Sequence, residues 1–218
     1  TRCLSDWSSD VCSSDLGVPL PDLVRARVTD QLGMRDTDSR VGAPERLATA
    51  YAHDGRGAVR MGARQGVSFG ATTVFFEPWR SFDPASFPSG GAGMVGTAGD
   101  YLRFLEALRR GGAPILGRAS VEGMTTNQIG DLPVSTEGPG YGFGHGFGVL
   151  LDPAAAQDPA SKGTFHWGGA YGLGYFVDPA ERLSVVVFSN TAFTGMVELP
   201  REVRAAIYRG LAAEGGAR

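Results

Sequence analysis

The first apolar pattern falls at Leu23, Val24, Val28 and Leu32, behind Pro21 and ahead of Gly33. Such spacing between a proline start and a glycine stop predicts an amphipathic helix. Met34 to Gly57 is loop-like, with a short helical piece expected around Leu47, and residues 56–93 read as irregular, rich in Gly, Pro and Phe. Thr97, with Asp100 three places on, is close to a capping box. It opens a helix whose expected apolar face is Tyr101, Leu102, Leu105 and Leu108 and whose stop is Gly111-Gly112. Another short helix is expected over Ser120 to Asn127. The pattern then turns β-branched and aromatic. YGFGHGFGVLLD, GTFHWGGAYG, LGYFVDP and RLSVVVFSN read as four strands, the last two joined as a hairpin through Asp-Pro-Ala-Glu. A closing helix has Pro200 at its start, Val203, Ile207 and Leu211 along one face, and Gly215 after it. Helices and loops first, then antiparallel strands under a helix, make an α+β chain rather than alternating βαβ units. The expected division is a helical and loop region over 17–140 and returning strands with a covering helix over 141–213.

Composition removes several function classes. The chain has 218 residues, a net charge of -3, 42% hydrophobic and 20% charged residues. It therefore carries no basic footprint for nucleic acid, and no apolar run approaches the ~18 residues of a membrane span. Cys3 and Cys12 both lie in TRCLSDWSSDVCSSDL, a Ser- and Asp-rich segment unlike the Gly-, Ala- and Arg-rich remainder. The run DWSSDVCSSDL, Asp6 to Leu16, reads as a common short-read sequencing adapter translated in frame. Residues 1–16 are therefore expected to be non-native, joined to a truncated gene, and the cysteines say nothing of redox compartment.

Two short stretches invite a chemical reading. GVSFG, Gly66 to Gly70, fits Gly-x-Ser-x-Gly, and Ser68 with Asp131 or Asp152 and His166 would satisfy a Ser, Asp, His order. A nucleophile elbow, however, needs a helix after its serine, and ATTVFFEPW follows here. His53, His145 and His166 lack metal-ligand spacing, and SGGAG is followed by no Lys-Ser or Lys-Thr that would make it a phosphate loop. The other stretch is HWGGAYG, His166 to Gly172, in which rings flank a bare backbone. A strand this bare lets a substrate lie against the main chain; it could equally be a twisted sheet corner.

Three segments together resemble the serine β-lactamase-like hydrolases, the family of class C β-lactamases, DD-peptidases and related carboxylesterases. DLVRARVTDQLGMRDTD (Asp22–Asp38) resembles a family helix and the Pro-Leu-Gly-Met-x-x-Thr segment after it, with Gln31 in place of the proline. PSGGAGMVGTAGDYLRFLEALRRGG (Pro88–Gly112) is similar to the family's Gly-rich turn and next helix. YGFGHGFGV with FHWGGAYGLGYFVDPAERLSVVVFSN resembles its returning strands and third active-site motif. The resemblance runs from Gly17 to about Leu211 in family order. It implies the C-terminal part of a β-lactamase/transpeptidase-like fold, and chemistry through a serine acyl-enzyme with no metal or cofactor.

That chemistry uses a Ser-x-x-Lys, a tyrosine from a Tyr-x-Asn-type motif, and a Lys-Thr-Gly-type strand. Lys162 is the only lysine and Pro159 stands three places before it; Asn127 and Asn190 follow Thr125 and Phe188 at two places. The first two motifs are therefore not in this sequence, and they are expected upstream of Gly17 in a longer parent. Only the third has a counterpart. Trp167-Gly168-Gly169 takes the place of Lys-Thr-Gly, and the resemblance implies that His166, Trp167, Gly168, Gly169 and Ala170 border the substrate, with the Ala170 N–H as one oxyanion donor. Tryptophan offers an apolar face and one N–H where the lysine offers a cation. This points to the carboxylesterase branch and to small neutral ester or amide substrates. The chain alone is expected to be inactive. A non-catalytic binding protein of the same fold is the alternative, and an α/β-hydrolase using Ser68 ranks after it.

Overall fold

The computed structural model describes residues 16–193 and 198–215. The adapter-like reading, apart from Leu16, and both cysteines lie outside the described residues. The chain divides into two compact units, one ending at Phe104 and the other beginning at Leu105.

In the first unit the expected helix spans Leu20–Val24, Arg25–Thr29 and Asp30–Leu32 (α1) and ends at Gly33. Its middle segment is wound as a π-helix, with the Asp30 N–H donating to Arg25 C=O, a widening that apolar spacing does not reveal. A 3₁₀ turn at Pro44–Arg46 matches the piece expected near Leu47. The loop-like reading before Gly57 and the irregular reading of residues 56–93 both give way to strands. β1 (Tyr51–His53) pairs with β2 (Ala58–Arg60), and β3 (Gln65–Phe69) pairs with β4 (Thr72–Phe76), both antiparallel. These strands are short and largely exposed, so they lack the inward-facing apolar alternation that marks a sheet.

The second helix, α2, is Ala98–Arg109. Thr97 caps it through a bond from the Asp100 N–H to Oγ1 at 3.2 Å. The reciprocal half of a capping box is replaced. Within the first unit, the buried Asp100 carboxylate accepts from Asp36 N–H (2.8 Å), Thr37 Oγ1 (3.1 Å) and Arg103 (2.8 Å). The expected apolar face also shifts: Leu105, Ala107 and Leu108 are buried, whereas Leu102 is 37% exposed.

The second unit is built on one five-stranded antiparallel meander. Its strands are β5 (Tyr141–Phe143), β6 (Gly148–Leu150), β7 (Phe165–Gly169), β8 (Leu173–Asp178) and β9 (Leu183–Phe188), in chain order across the sheet. The segment YGFGHGFGVLLD, expected as one strand, is thus a hairpin of two. The β8–β9 turn is held by the buried Asp178, whose Oδ1 accepts from the Ala180 and Glu181 N–H groups at 2.9 and 3.1 Å. Within the second unit, Glu106 accepts from Ser184 Oγ of β9 at 2.6 Å and from Arg109 Nε at 2.7 Å. Hydrogen bonding from Arg109, then from Ser184, lowers its pKa to about 2 against the opposing effect of burial. Helix α3 (Arg118–Thr125) precedes the sheet, and α4 (Pro153–Ala156) follows β6.

Register puts Tyr141, Leu150, His166 and Phe176 on one face of the sheet and Val149, Phe165 and Val177 on the other. The closing helix α5 (Glu198–Gly215) lies on the first face. Its inner side is not the expected aliphatic stripe, because Leu211 is exposed and Arg204 is buried. Arg204 lies over the Phe176 ring at 4.7 Å and pairs with Asp158; the Tyr208 hydroxyl bonds Asp178.

Candidate active site

Strand β7 is paired unequally along its two edges. On the β8 side every residue has a partner, from Phe165↔Val177 to Gly169↔Leu173. On the β6 side pairing stops at Val149↔Phe165 and Gly148↔His166. Trp167, Gly168 and Gly169 run past the end of β6, and no described strand pairs with them there. An extended ligand can add to such an edge through main-chain hydrogen bonds, and the two glycines keep side chains out of its way.

The strand then reverses through Ala170, Tyr171 and Gly172. The Gly172 N–H donates to Gly169 C=O at 2.9 Å, and Gly172 has φ +90°. This is a three-residue hairpin loop of the type-I-plus-bulge kind. The loop's own bond makes no demand on the Ala170 N–H, while the Ala170 C=O accepts from Phe193 N–H at 2.9 Å. HWGGAYG is therefore both a strand with an open edge and a sheet corner.

The side chains of this stretch have different surroundings. The half-buried Trp167 meets Phe143 edge-on, with ring centroids 4.9 Å apart and planes at 81°. His166 is buried at 6% exposure among Tyr141, Gly148 and Phe176, with the Tyr141 ring centroid at 5.2 Å. Its Nε2 has no hydrogen-bond partner among the described residues and lies 3.9 Å from Glu137 Oε2. Burial, then the Arg204 charge, lowers its pKa to about 3, so the ring is neutral at ordinary pH. Burial likewise raises the Glu137 carboxyl, against the opposing charges of Arg201 and Arg204.

Beneath them Asp158 accepts from Tyr141 Oη at 2.6 Å and from Arg204. Burial pushes Asp158 upward, but the Arg204 charge and the Tyr141 hydrogen bond outweigh it and the carboxyl is lowered overall. The network is a buried support for β7. Sequence reasoning passed over Glu137, Tyr141, Asp158 and Arg204; the available signal was the i, i+4 pair Arg204 and Tyr208 on the helix that covers the sheet.

The serine reading of GVSFG finds no elbow. Ser68 is an exposed residue of β3, paired with Thr73 across a tight hairpin, where the helix after the serine should begin. Asp152 is committed as the cap of α4, accepting from the Ala154 and Ala155 N–H groups at 3.0 and 3.1 Å. Asp131, His53 and His145 are exposed. No cluster of metal-ligating side chains exists among the described residues, and no described helix is long and apolar enough to cross a membrane.

An antiparallel sheet backed by a C-terminal helix, with an open-edged Gly-Gly strand leading into a tight turn, defines a class that comparison with known proteins specifies. The Beta-lactamase family profile matches residues 12–208, and the chain belongs to that family. Esterase EstB of Burkholderia gladioli is 45% identical over 186 residues, which is 83% of this chain and 46% of EstB. The solved structure of EstCE1, described as a hydrolase with promiscuous acyltransferase activity, superposes with a TM-score of 0.84 at 38% identity, covering 92% of this chain and 53% of EstCE1. A mutant of the simvastatin synthase LovD from Aspergillus terreus, 18% identical with a TM-score of 0.69 over 94% of this chain and 53% of its own, shares the fold. The chain spans about half the length of the curated relatives it matches. The α+β, β-lactamase/transpeptidase-like architecture expected from the sequence is thus the one found.

Proposed function

We propose that the complete protein is a serine hydrolase of the carboxylesterase type, cleaving small neutral esters through an acyl-enzyme. The observation that carries this reading is the open edge of Trp167-Gly168-Gly169 running into the Ala170 turn. An acyl group laid along that edge brings its carbonyl oxygen toward the Ala170 N–H. A donor fixed by the backbone stabilises the oxyanion of the tetrahedral intermediate without reorganising, a contribution of about 10²–10³ in rate. Trp167 replaces a cation with apolar surface, which favours an uncharged acyl group over a substrate carboxylate. The esterase and hydrolase named among the relatives support the same reaction class.

The attacking serine and its lysine base are not assigned to this chain, since its one lysine, Lys162, has Pro159 three places before it. The chain by itself is therefore expected to turn over no ester. The test compares p-nitrophenyl butyrate with a chromogenic cephalosporin on the complete protein. Ester turnover well above lactam turnover, unaffected by Ser68→Ala, is expected. Absence of ester turnover would favour the non-catalytic binding alternative, and ester turnover abolished by Ser68→Ala would overturn the site assignment.

A further inference from the structure

An indole on an unpaired strand edge has rotamer freedom that a specific substrate wall cannot tolerate, so whatever fixes Trp167 also shapes what the edge accepts. The structure supplies one such contact, the edge-on Phe143 ring at 4.9 Å. Phe143 is itself held firmly. Its N–H donates to Asn127 Oδ1 at 3.2 Å and its C=O accepts from Gln128 N–H at 2.8 Å, so both backbone groups are tied to the chain just after α3. The glycines on either side let that chain approach. A Cβ on Gly142 would stand 2.5 Å from Asn127 Oδ1, and one on Gly144 would stand 2.0 Å from Met124 O. Close approach on both flanks fixes where the Phe143 ring can go, and through it the indole. Asn127 also donates from Nδ2 to Gly130 C=O at 2.7 Å, which fixes the amide that holds Phe143.

We infer that Phe143 is a specificity-setting positioning residue: it holds the Trp167 indole against the acyl group and so determines which acyl chains the edge accepts. The inference rests on the reading of Trp167 to Ala170 as the substrate strand, and it adds a residue outside that motif. A ring-on-ring contact of this geometry corresponds to roughly a three- to tenfold effect on an equilibrium. The expected change is therefore of that size, in selectivity rather than in overall rate.

The test measures kcat/KM for p-nitrophenyl acetate and p-nitrophenyl octanoate on the complete protein, and the ratio of the two is the readout. A folding defect lowers both values together and leaves the ratio alone. Phe143→Leu, which keeps apolar volume without a ring edge, is expected to move the ratio roughly three- to tenfold toward that of Trp167→Ala. Phe143→Tyr is expected to restore it, and Phe143→Leu added to Trp167→Ala should change the ratio no further. An unchanged ratio in Phe143→Leu, or independent effects in the double variant, overturns the inference while leaving the esterase reading intact. A complete protein that cleaves neither ester, or a Trp167→Ala variant with the wild-type ratio, overturns the reading beneath it and the inference with it.

Discussion

Two hairpins in this chain hold stretches that a motif search selects. β3–β4 contains GVSFG and β7–β8 contains HWGGAYG. Each reverses through a glycine with positive φ, Gly70 at +57° and Gly172 at +90°. Their surroundings separate them. The space about a Cβ on Gly70 is open to 4 Å, whereas one on Gly172 would lie 2.3 Å from Ser189 Oγ and 2.4 Å from Thr191 C=O. β3 is paired with one strand and presents Ser68 and Phe69 to solvent, while β7 lies inside a five-stranded sheet and is backed by a buried polar network. A motif gains chemical meaning when the fold holds its backbone rigidly and leaves one edge free. Only the second hairpin meets both conditions.

The largest effect that tests this contrast is steric. Gly172→Ala must adopt a left-handed conformation and also displace Thr191 backbone, a combined cost of about 3 kcal/mol. Gly70→Ala meets only the conformational part, about 1–2 kcal/mol. Chemical denaturation of both variants checks the difference, and equal losses would remove the distinction between the two turns.

A smaller effect comes from the buried support under β7. His166 stays neutral in the fold down to about pH 3, while the unfolded chain takes up its proton near 6.5. The depressed pKa means that the His166 contribution is complete above about pH 6.5 and is lost as pH falls toward 3. Glu137, raised by burial, works in the opposite direction: above its ordinary 4.5 the folded state protonates before the unfolded one, so its contribution grows as pH falls. Asp158, lowered overall, matters only below its ordinary 3.8. The Arg204 and Arg201 side chains face the same cluster. Between pH 7 and 5 the His166 part of this balance lowers the unfolding free energy by about 2 kcal/mol, and Glu137 opposes it. His166→Gln is expected to flatten that slope, and a variant with the wild-type slope would show that His166 is not the titrating group.

The sequence made the architecture legible wherever burial follows a period. α1 between Pro21 and Gly33, the β8–β9 hairpin around Asp178, and the closing helix all stand near their expected places. It misled where burial and hydrophobicity part company. Arg204 is buried because Asp158 and the Phe176 ring accept its charge, and no apolar pattern marks it. YGFGHGFGVLLD hid its turn because glycines carry no inward or outward sign, and β1 to β4 are too exposed to alternate. The candidate site was half legible. Trp167 to Ala170 stood out by composition and family resemblance, but the open edge depends on where β6 stops. The grip of Phe143 on Trp167 depends on Asn127, sixteen residues away along the chain.

The central proposal, that the bare strand and its turn supply an oxyanion donor, is tested most directly by Ala170→Pro. Proline is favoured at the first turn position of such a loop and removes only the N–H, and the Ala170 C=O that accepts from Phe193 is retained. In the complete protein, kcat for p-nitrophenyl butyrate should fall about 10²–10³-fold, with the melting temperature and far-UV spectrum preserved. A folded Ala170→Pro variant with wild-type kcat would contradict the assignment of this strand to the chemistry.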